Sequence, residues 1–428
     1  MDRSSKQYQT YVEILRRELV CAMGCTEPIA VAYCAAKARA VLGAEPERID
    51  VEASGNVIKN VKSVVVPNTG GGRGLAVAAA IGVLGGDASA ELEVISRVPP
   101  EAQERLADYL AKTPIRVVPL RSDCILDMIV TVYAGTSYAR VRIAEEHANV
   151  VLIERNGEVL LEKDPHEGAE AADEPDYSLL SVAEICDFAE TCVLSDVEPI
   201  LRRQIELNGA ISDEGLRNDY GANIGKVLLK TGGDLRTRAK ARAAAASDAR
   251  MNGCELPVVI CSGSGNQGIT ASLPVAEYAK ALGKSDEELL RALVVSNLVT
   301  LHEKNGIGRL SAYCGAVSAG AGAGAGIAWL CGGGRRAVEH TIVNALAITS
   351  GIVCDGAKSS CAAKIAMAVE AGIFGYEMYL SGQQFYGGDG LVVKGVENSI
   401  ASFGRLARVG MKETDLEIIR MMTGQDAP

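Results

Sequence analysis

Three cysteines in the last third of the chain, Cys314, Cys354 and Cys361, are the residues best suited to chemistry. They lie in the segments Ser-Ala-Tyr-Cys-Gly and Cys-Asp-Gly-Ala-Lys-Ser-Ser-Cys, whose surroundings are mostly glycine, alanine, serine and other uncharged residues. Three thiolates on an iron–sulfur cluster would leave one iron without a protein ligand. An open metal position of this kind indicates chemistry rather than a structural role.

The geometry available to Cys354 and Cys361 depends on the backbone between them. Within one continuous helix their spacing would set them two turns apart, about 10 Å along the axis, too far for two ligands of one small cluster. If Gly356 breaks the backbone, Cys354 lies in a loop and Cys361 in a helix whose N-terminus can face a negative cluster. Two unrelated core cysteines are the alternative. A structural zinc site would need a fourth protein ligand, and His302 and His340 are isolated in the sequence.

Two glycine-rich loops, at residues 67–74 and 262–268, each follow an apolar run and precede a helical pattern. Consecutive backbone amides in such a loop form a nest that binds anions, and a carboxylate would fit. Simple turns are the alternative for both loops. The second loop also matches Gly-x-Gly-x-x-Gly, but no repeating βα pattern surrounds it, so the match to a dinucleotide site is weak. The predicted substrate-binding residues in these loops are Asn68, Thr69, Ser264 and Asn266.

Candidate acid–base groups lie close to the cysteines in sequence. His302 and Lys304 belong to a polar turn that leads directly to Cys314, and polar groups beside a cluster ligand can transfer protons. A charged turn that complements the helix dipole is the alternative. Cys25 lies where Met-Gly-Cys-Thr-Glu-Pro interrupts a helix, so it is either a thiol of low pKa at a helix N-terminus or a fourth cluster ligand. Its neighbour Glu27 is predicted to contact the substrate.

Composition excludes several classes of function. The 428 residues are enough for a large core, and with 48% apolar but only 4% aromatic residues that core must be aliphatic. A net charge of −11 argues against nucleic-acid binding, because neutralising phosphates needs clustered lysine and arginine. No residue between Arg309 and Arg335 is charged, but glycine and alanine gain little from lipid, so a buried helix is predicted rather than a membrane span.

The twelve cysteines bear on the cellular compartment. Residues 1–20 are polar and contain no apolar signal segment, so the cysteines indicate a reducing environment, and we expect a cytoplasmic protein without disulfides. A helical core rich in small residues predicts close packing. It allows a homodimer without predicting any particular symmetry.

The hydrophobic pattern changes twice along the chain. Residues 48–165 show period-two and β-branched runs, among them 61–66 and 92–98, with one helix at 74–85. An acidic, proline-bearing linker follows at 164–177, and beyond it nearly everything has a helical pattern.

These changes predict an α+β fold in two domains. Residues 1–47 and 175–428 should form a large all-helical catalytic domain. Residues 48–174 should form an inserted α+β domain with a mainly antiparallel sheet and the acidic linker at its end.

Five motifs taken together resemble those of one enzyme family. They are Cys-Ala-Met-Gly-Cys-Thr-Glu-Pro at 21–28, Ser-Gly-Asn-Val-Ile-Lys-Asn at 54–60, Val-Pro-Asn-Thr-Gly-Gly at 66–71, Ser-Gly-Ser-Gly-Asn-Gln-Gly at 262–268 and Cys-Asp-Gly-Ala-Lys-Ser-Ser-Cys at 354–361. The chain resembles the L-cysteine desulfidase family over nearly its whole length. Through its helical half it is also similar to the α part of bacterial iron–sulfur L-serine dehydratases, over about residues 180–420.

The resemblance implies a [4Fe-4S] cluster held by three cysteines, which map onto Cys314, Cys354 and Cys361. It implies an amino-acid substrate, L-cysteine, which is converted to pyruvate, ammonia and sulfide without pyridoxal phosphate. Cys25 matches the family motif too and is interpreted as an active-site residue, either a base or a transient ligand. An open iron would bind the substrate sulfur as a Lewis acid and make it a better leaving group.

Three alternatives stay open at this level. An L-serine or L-threonine dehydratase would use the same cluster to remove hydroxide. A non-catalytic iron–sulfur protein would use it as a sensor or scaffold. A pyridoxal-phosphate lyase would need a Schiff-base lysine, for which Lys304, Lys358 and Lys364 are the candidates.

Overall fold

The structure is a computed structural model that describes residues 1–165, 175–308 and 310–423. Arg309 and most of the predicted acidic linker lie outside these ranges. The described helices are α1 (Lys6–Glu18), α2 (Thr26–Leu42), α3 (Gly55–Val61), α4 (Leu75–Gly85), α5 (Pro100–Lys112), α6 (Val182–Thr191), α7 (Glu198–Arg217), α8 (Ile224–Thr231), α9 (Leu235–Met251), α10 (Gly265–Ala281), α11 (Asp286–Ile307), α12 (Gly315–Leu330), α13 (Gly334–Thr349), α14 (Cys361–Leu380), α15 (Val396–Arg405) and α16 (Lys412–Thr423). The described strands are β1 (Cys21–Met23), β2 (Arg48–Ala53), β3 (Ile115–Pro119), β4 (Asp127–Ala134), β5 (Ser137–Ala144), β6 (Val150–Arg155), β7 (Glu158–Glu162) and β8 (Pro257–Val259).

Strands β2 to β7 form one six-stranded sheet in the order β3-β2-β4-β5-β6-β7. Only β2 and β3 pair in parallel, and the other neighbours are antiparallel. The turn at Asn156 and Gly157 joins β6 to β7, and both residues have the positive φ that a two-residue hairpin turn requires. The predicted α+β class with a mainly antiparallel sheet is confirmed.

The two N-terminal helices pack on different cores. Helix α1 buries Tyr8 and Tyr11 against Phe188 of α6, within the helical part of the molecule. Helix α2 instead packs on the sheet and on α4, and nearly all its residues are buried. An alanine-rich helix without a polar face can be enclosed in this way. The domain boundaries at residues 47 and 175 stay a prediction.

Two predicted strands of the sheet region are wrong. Residues 92–98 contain no strand, and residues 61–66 begin at the last residue of α3 and continue as a buried irregular segment. Val64 there is buried because it packs against Cys25 and Met251, so its burial comes from a tertiary contact and not from a sheet. Helices α3 and α5 were missed, since only one helix, close to α4, was predicted in this region.

Helix α12 is the uncharged Gly-Ala segment, and its alternating glycines form two stripes. Positions two apart in a helix point about 200° from each other, so every second glycine belongs to the opposite face. A Cβ on Gly320 or Gly324 would meet the backbone of α14, and one on Gly322 or Gly326 would meet the backbone of α11. The segment is therefore buried between two helices. In the parts of the chain that the structure describes, no helix is long and apolar enough to cross a membrane.

The order of these contacts gives the direction of packing. On α14, Gly320 meets Ala368 and Gly324 meets Gly372, a constant offset that makes the two helices parallel. Towards α11, Gly322 meets Thr300, whereas Gly326 meets Ala292. The contact moves backwards along α11 as it moves forwards along α12, so this pair is antiparallel. The N-termini of α12 and α14 and the C-terminus of α11 consequently lie at one end of the bundle.

We expect Gly372→Ala to destabilise the protein by about 1–3 kcal/mol, because its Cβ would lie 2.2 Å from the carbonyl oxygen of Gly320. The matched control is Gly209→Ala in α7, where a Cβ meets nothing within 4 Å. That change should be neutral or stabilise by up to about 1 kcal/mol through helix propensity. Urea unfolding midpoints measure both. Equal effects of the two substitutions would contradict the close approach of α12 and α14.

Candidate functional site

The cluster-ligand candidates come together at the end of the bundle where α12 and α14 begin. Cys314 is the residue that precedes α12, and Cys361 is the first residue of α14, so parallel packing sets them side by side. Backbone bonds tie the third cysteine to them: Cys314 N donates to Ile352 O at 3.2 Å, and Cys354 N donates to Ala312 O at 2.6 Å.

Gly356 breaks the backbone between Cys354 and Cys361, which is one of the two geometries that the sequence left open. This residue has a φ of 88°, which leaves Cys354 in a loop before α14. A side chain at Gly356 would also collide with the carbonyl oxygen of Lys59, 2.2 Å from the added Cβ. The turn that presents Cys354 therefore depends on glycine for both its conformation and its contact with α3.

The three thiols interact electrostatically. Burial and the neighbouring thiols of Cys354 and Cys361 raise the pKa of Cys314 to about 12. Burial also raises the pKa of Cys361, although Lys358 opposes it. The thiols of Cys314 and Cys361 are therefore protonated at neutral pH, and a metal that binds them has to displace their protons.

This arrangement fits a cluster better than a single ion. Among the described residues, no three His, Cys, Asp or Glu side chains come close enough together to hold one metal ion, which would need donors about 2.3 Å from one point. A four-iron cluster is ligated at separate irons, so its thiolates stand further apart. The helix starts at Gly315 and Cys361 add backbone amides that suit an anionic cluster.

Lys304 extends from the last turn of α11 to this same end of the bundle. It is 4% exposed, and no carboxylate pairs with it in the described ranges. Burial lowers the pKa of Lys304 to about 8, although Cys354 and Cys314 oppose the shift. This pKa lies close to physiological pH, so a fraction of the amine is neutral and able to accept a proton, as a general base requires.

Cys25 faces the cysteines from the other side, at the start of α2. The short pairing of β1 with β8 brings it to the 262–268 loop, where the Thr26 hydroxyl donates to Gly263 O at 3.3 Å. The Cys25 thiol donates to Glu27 Oε2 at 3.1 Å. Burial and the Glu27 carboxylate raise the pKa of Cys25 well above its usual value. The structure therefore contradicts the interpretation of Cys25 as a thiol of low pKa.

Glu27 is the centre of a small polar network. Its Oε1 accepts from Asn60 Nδ2 at 2.9 Å and lies 4.0 Å from His147 Nε2. Burial alone would raise the pKa of Glu27, but His147 and the Cys25 thiol outweigh burial and lower it to about 2. The carboxylate is therefore charged at neutral pH.

All these groups line one cavity of about 370 Å³. The predicted residues Ser264 and Asn266 line it as well, at the start of α10, and Arg250 lies beneath them at the end of α9. The site residues predicted from the sequence that the structure brings to this cavity are Cys25, Glu27, Ser264, Asn266, Lys304, Cys314, Cys354 and Cys361.

Comparison with known proteins gives the family. Residues 89–420 match the family described as serine dehydratase alpha chain. The chain belongs to that family. The match begins inside the sheet region, earlier than the expected start near residue 180. Membership suggests a lyase-type enzyme with a serine-dehydratase-like function.

Curated relatives match the chain over its whole length. A UPF0597 protein of Desulfitobacterium hafniense is 57% identical over 99% of both chains. A UPF0597 protein of Lachnoclostridium phytofermentans is 50% identical over 97% of this chain and 99% of its own. A UPF0597 protein of Treponema denticola is 44% identical over 99% of both. These names state no activity.

Three predicted residues do not reach the cavity. His302 points the other way on α11, and its Nε2 lies 2.6 Å from Glu397 Oε2. Asn68 bonds to Ile95 O at 2.7 Å, and the Thr69 hydroxyl bonds to Val66 O at 2.6 Å. Thr69 therefore holds the turn of the 67–74 loop, and Asn68 ties that loop to the segment that contains Ile95. His302 differs from Lys304 because residues two apart lie on opposite sides of a helix.

Sequence reasoning missed several polar residues of the cavity. His147 comes from the loop between β5 and β6, and its only signal is that the chain has 4 histidines. Lys59 and Asn60 belong to the motif at 54–60 and Gln267 to the motif at 262–268, and the sequence assigns none of the three a role. Arg250, in the last turn of α9, resembles an ordinary cation that complements the helix dipole.

The Glu27 carboxylate should make the stability depend on pH. Its folded pKa of about 2 lies below the usual 4.5, so its contribution is present above pH 4.5 and is lost as pH falls towards 2. We expect Glu27→Gln to be less stable than wild type at pH 7, with a difference that shrinks below about pH 4.5. Urea unfolding of cluster-free protein measures it. The control is Glu104→Gln, since Glu104 is exposed. If the stability lost in Glu27→Gln is the same at every pH, the Glu27 carboxylate is not held charged as described.

Proposed function

We propose that the chain is an L-cysteine desulfidase that eliminates sulfide from L-cysteine with the help of an iron–sulfur cluster. The observation that supports it best is the convergence of three cysteines from separate segments on a cavity that also contains Cys25 and Lys304. Such a cluster suits a reducing compartment, so the proposal includes a cytoplasmic location.

The cluster would be held by Cys314, Cys354 and Cys361. When bound, it would supply a Lewis-acidic iron without a protein ligand, next to the place where a substrate thiol can enter. Such an iron binds soft thiolate and sulfide donors in preference to hard oxygen donors, which favours L-cysteine over L-serine as the substrate.

The chain's own side chains would transfer the protons. Elimination removes the α-proton of L-cysteine, forms the Cα–Cβ double bond and breaks the Cβ–S bond, whose electron pair leaves with sulfur as sulfide. Lys304, with a pKa of about 8, is the better base, since the Cys25 thiol is held protonated. The Cys25 thiol lines the same cavity and carries a proton, which it can transfer to the departing sulfide while becoming a thiolate itself. Aminoacrylate then tautomerises and reacts with water to give pyruvate and ammonia.

An L-serine dehydratase is the second candidate, and the family match favours it. It would use the same residues and release water in place of sulfide. The pyridoxal-phosphate alternative is less suited to this site. Lys358 is bound to Asp355 at 2.5 Å, and Lys364 pairs with the same carboxylate. Lys304 instead faces the cysteines.

We expect Cys314→Ala, Cys354→Ala and Cys361→Ala each to lose most iron and labile sulfide after anaerobic purification. The matched control is Cys331→Ala, at the opposite end of α12, which should keep the wild-type content. Retention of iron by any one of the three variants would remove that residue from the ligand set. Equal loss in Cys331→Ala would indicate general instability instead.

Lys304→Gln should lower kcat for L-cysteine by about 100-fold or more, because general-base catalysis contributes roughly 10²–10⁴. His302→Gln is the control on the same helix, and it should stay within about threefold of wild type, since it lies outside the cavity. Release of sulfide and pyruvate from L-cysteine, beside pyruvate from L-serine, measures both the loss and the substrate preference. A larger loss in His302→Gln would contradict this assignment. Faster turnover of L-serine would favour the dehydratase.

A further inference from the structure

Arg250 is a buried cation without an anion. It is 3% exposed, and no Asp or Glu carboxylate pairs with it in the described parts of the chain. Nη1 donates only to the side-chain oxygen of Asn266 at 3.2 Å, and Nε has no hydrogen-bond partner there. An uncompensated buried charge is strongly destabilising. A residue in this state, on the wall of an accessible cavity, is suited to bind an anionic ligand.

The start of α10 lies directly on this guanidinium. A Cβ on Gly265 would lie 2.3 Å from Arg250 Nε, so only glycine allows the helix to begin there. Ser264 precedes the helix and makes no side-chain cap, which leaves backbone amides of the first turn available. The amides and the guanidinium therefore present donors to one part of the cavity, as a carboxylate requires.

Gln267, in the same first turn of α10, provides the opposite polarity. It is 5% exposed, lines the same cavity, and its Oε1 has no hydrogen-bond partner in the described ranges. A buried acceptor left open in this way suits an ammonium donor. The cavity wall thus carries both an unsatisfied donor group and an unsatisfied acceptor.

We propose that Arg250 and the first turn of α10 bind the α-carboxylate of the substrate, and that Gln267 accepts a hydrogen bond from its α-ammonium group. The proposal rests on the proposed function in that it takes the ligand to be an α-amino acid. Holding both charged groups fixes the Cα–H bond relative to the base and the side chain relative to the cysteines. A site of this kind binds zwitterionic substrates more tightly than thiols that lack either charged group.

Two thiol probes separate these contacts without turnover. β-Mercaptopropionate has the carboxylate but no ammonium group, and cysteamine has the ammonium group but no carboxylate. Titration calorimetry on anaerobically purified protein should show that Arg250→Met lowers the affinity for β-mercaptopropionate by about 10- to 100-fold and the affinity for cysteamine by less than about threefold. Gln267→Met should show the reverse preference, with a smaller loss of about 5- to 10-fold for cysteamine.

Stability separates a binding role from a structural one. Because it removes an unpaired buried charge, Arg250→Met should unfold at the same or a higher temperature than wild type without ligand. A lower midpoint together with equal weakening of both probes would overturn the proposal. Should Arg250→Met fail to fold, Arg250→Lys keeps the charge but not the two-pronged geometry, and it should still weaken only β-mercaptopropionate. No discrimination in that variant would also overturn it.

The outcomes distinguish this inference from the proposed reaction. If L-cysteine releases no sulfide while β-mercaptopropionate still depends on Arg250, elimination is refuted and the carboxylate site stands. If sulfide is released but neither variant discriminates between the probes, the reaction stands and the assignment of Arg250 is refuted.

Discussion

The close approach of α12 to its neighbours on both sides is the constraint on which the site depends. Alternate glycines remove side chains from two faces of one helix, so backbone meets backbone at Gly324 and Gly372. The parallel direction towards α14 places Cys314 beside Cys361, and the antiparallel direction towards α11 brings Lys304 to the same end. A cluster needs thiols on rigid supports, and helix starts packed this tightly provide them.

Charge in the cavity is unevenly distributed. Arg250 and Lys304 are buried without carboxylate partners in the described ranges, and Lys59 is paired with Asp415 at 2.5 Å. Glu27 is the buried carboxylate of the cavity wall, and it is held charged by its neighbours. The two buried cations without carboxylate partners lower the stability of the ligand-free protein, and an anionic cluster and a substrate carboxylate would offset this effect. Binding sites commonly keep such unfavourable groups because the ligand completes them.

The errors in predicting the sheet region have a common physical cause. A run of β-branched residues indicates burial as much as it indicates a strand, and Val64 is buried by Cys25 and Met251 without belonging to a sheet. His302 and Lys304 illustrate the same limit at the site. The two residues share a turn in the sequence, but helix geometry directs one to Glu397 and the other to the cysteines.

The sequence by itself determined the α+β class and picked out the candidate cysteines, because periodicity and donor chemistry are local properties. It left open whether the backbone breaks at Gly356. Tertiary structure alone decided that His147, Lys59 and Arg250 join those cysteines, since they come from segments separated by tens to hundreds of residues. It also decided the charge states of Glu27 and Lys304, because burial and partners lie outside any local pattern. The periodicity of the sequence cannot predict which buried cation has no carboxylate partner, because that partner would come from a distant segment.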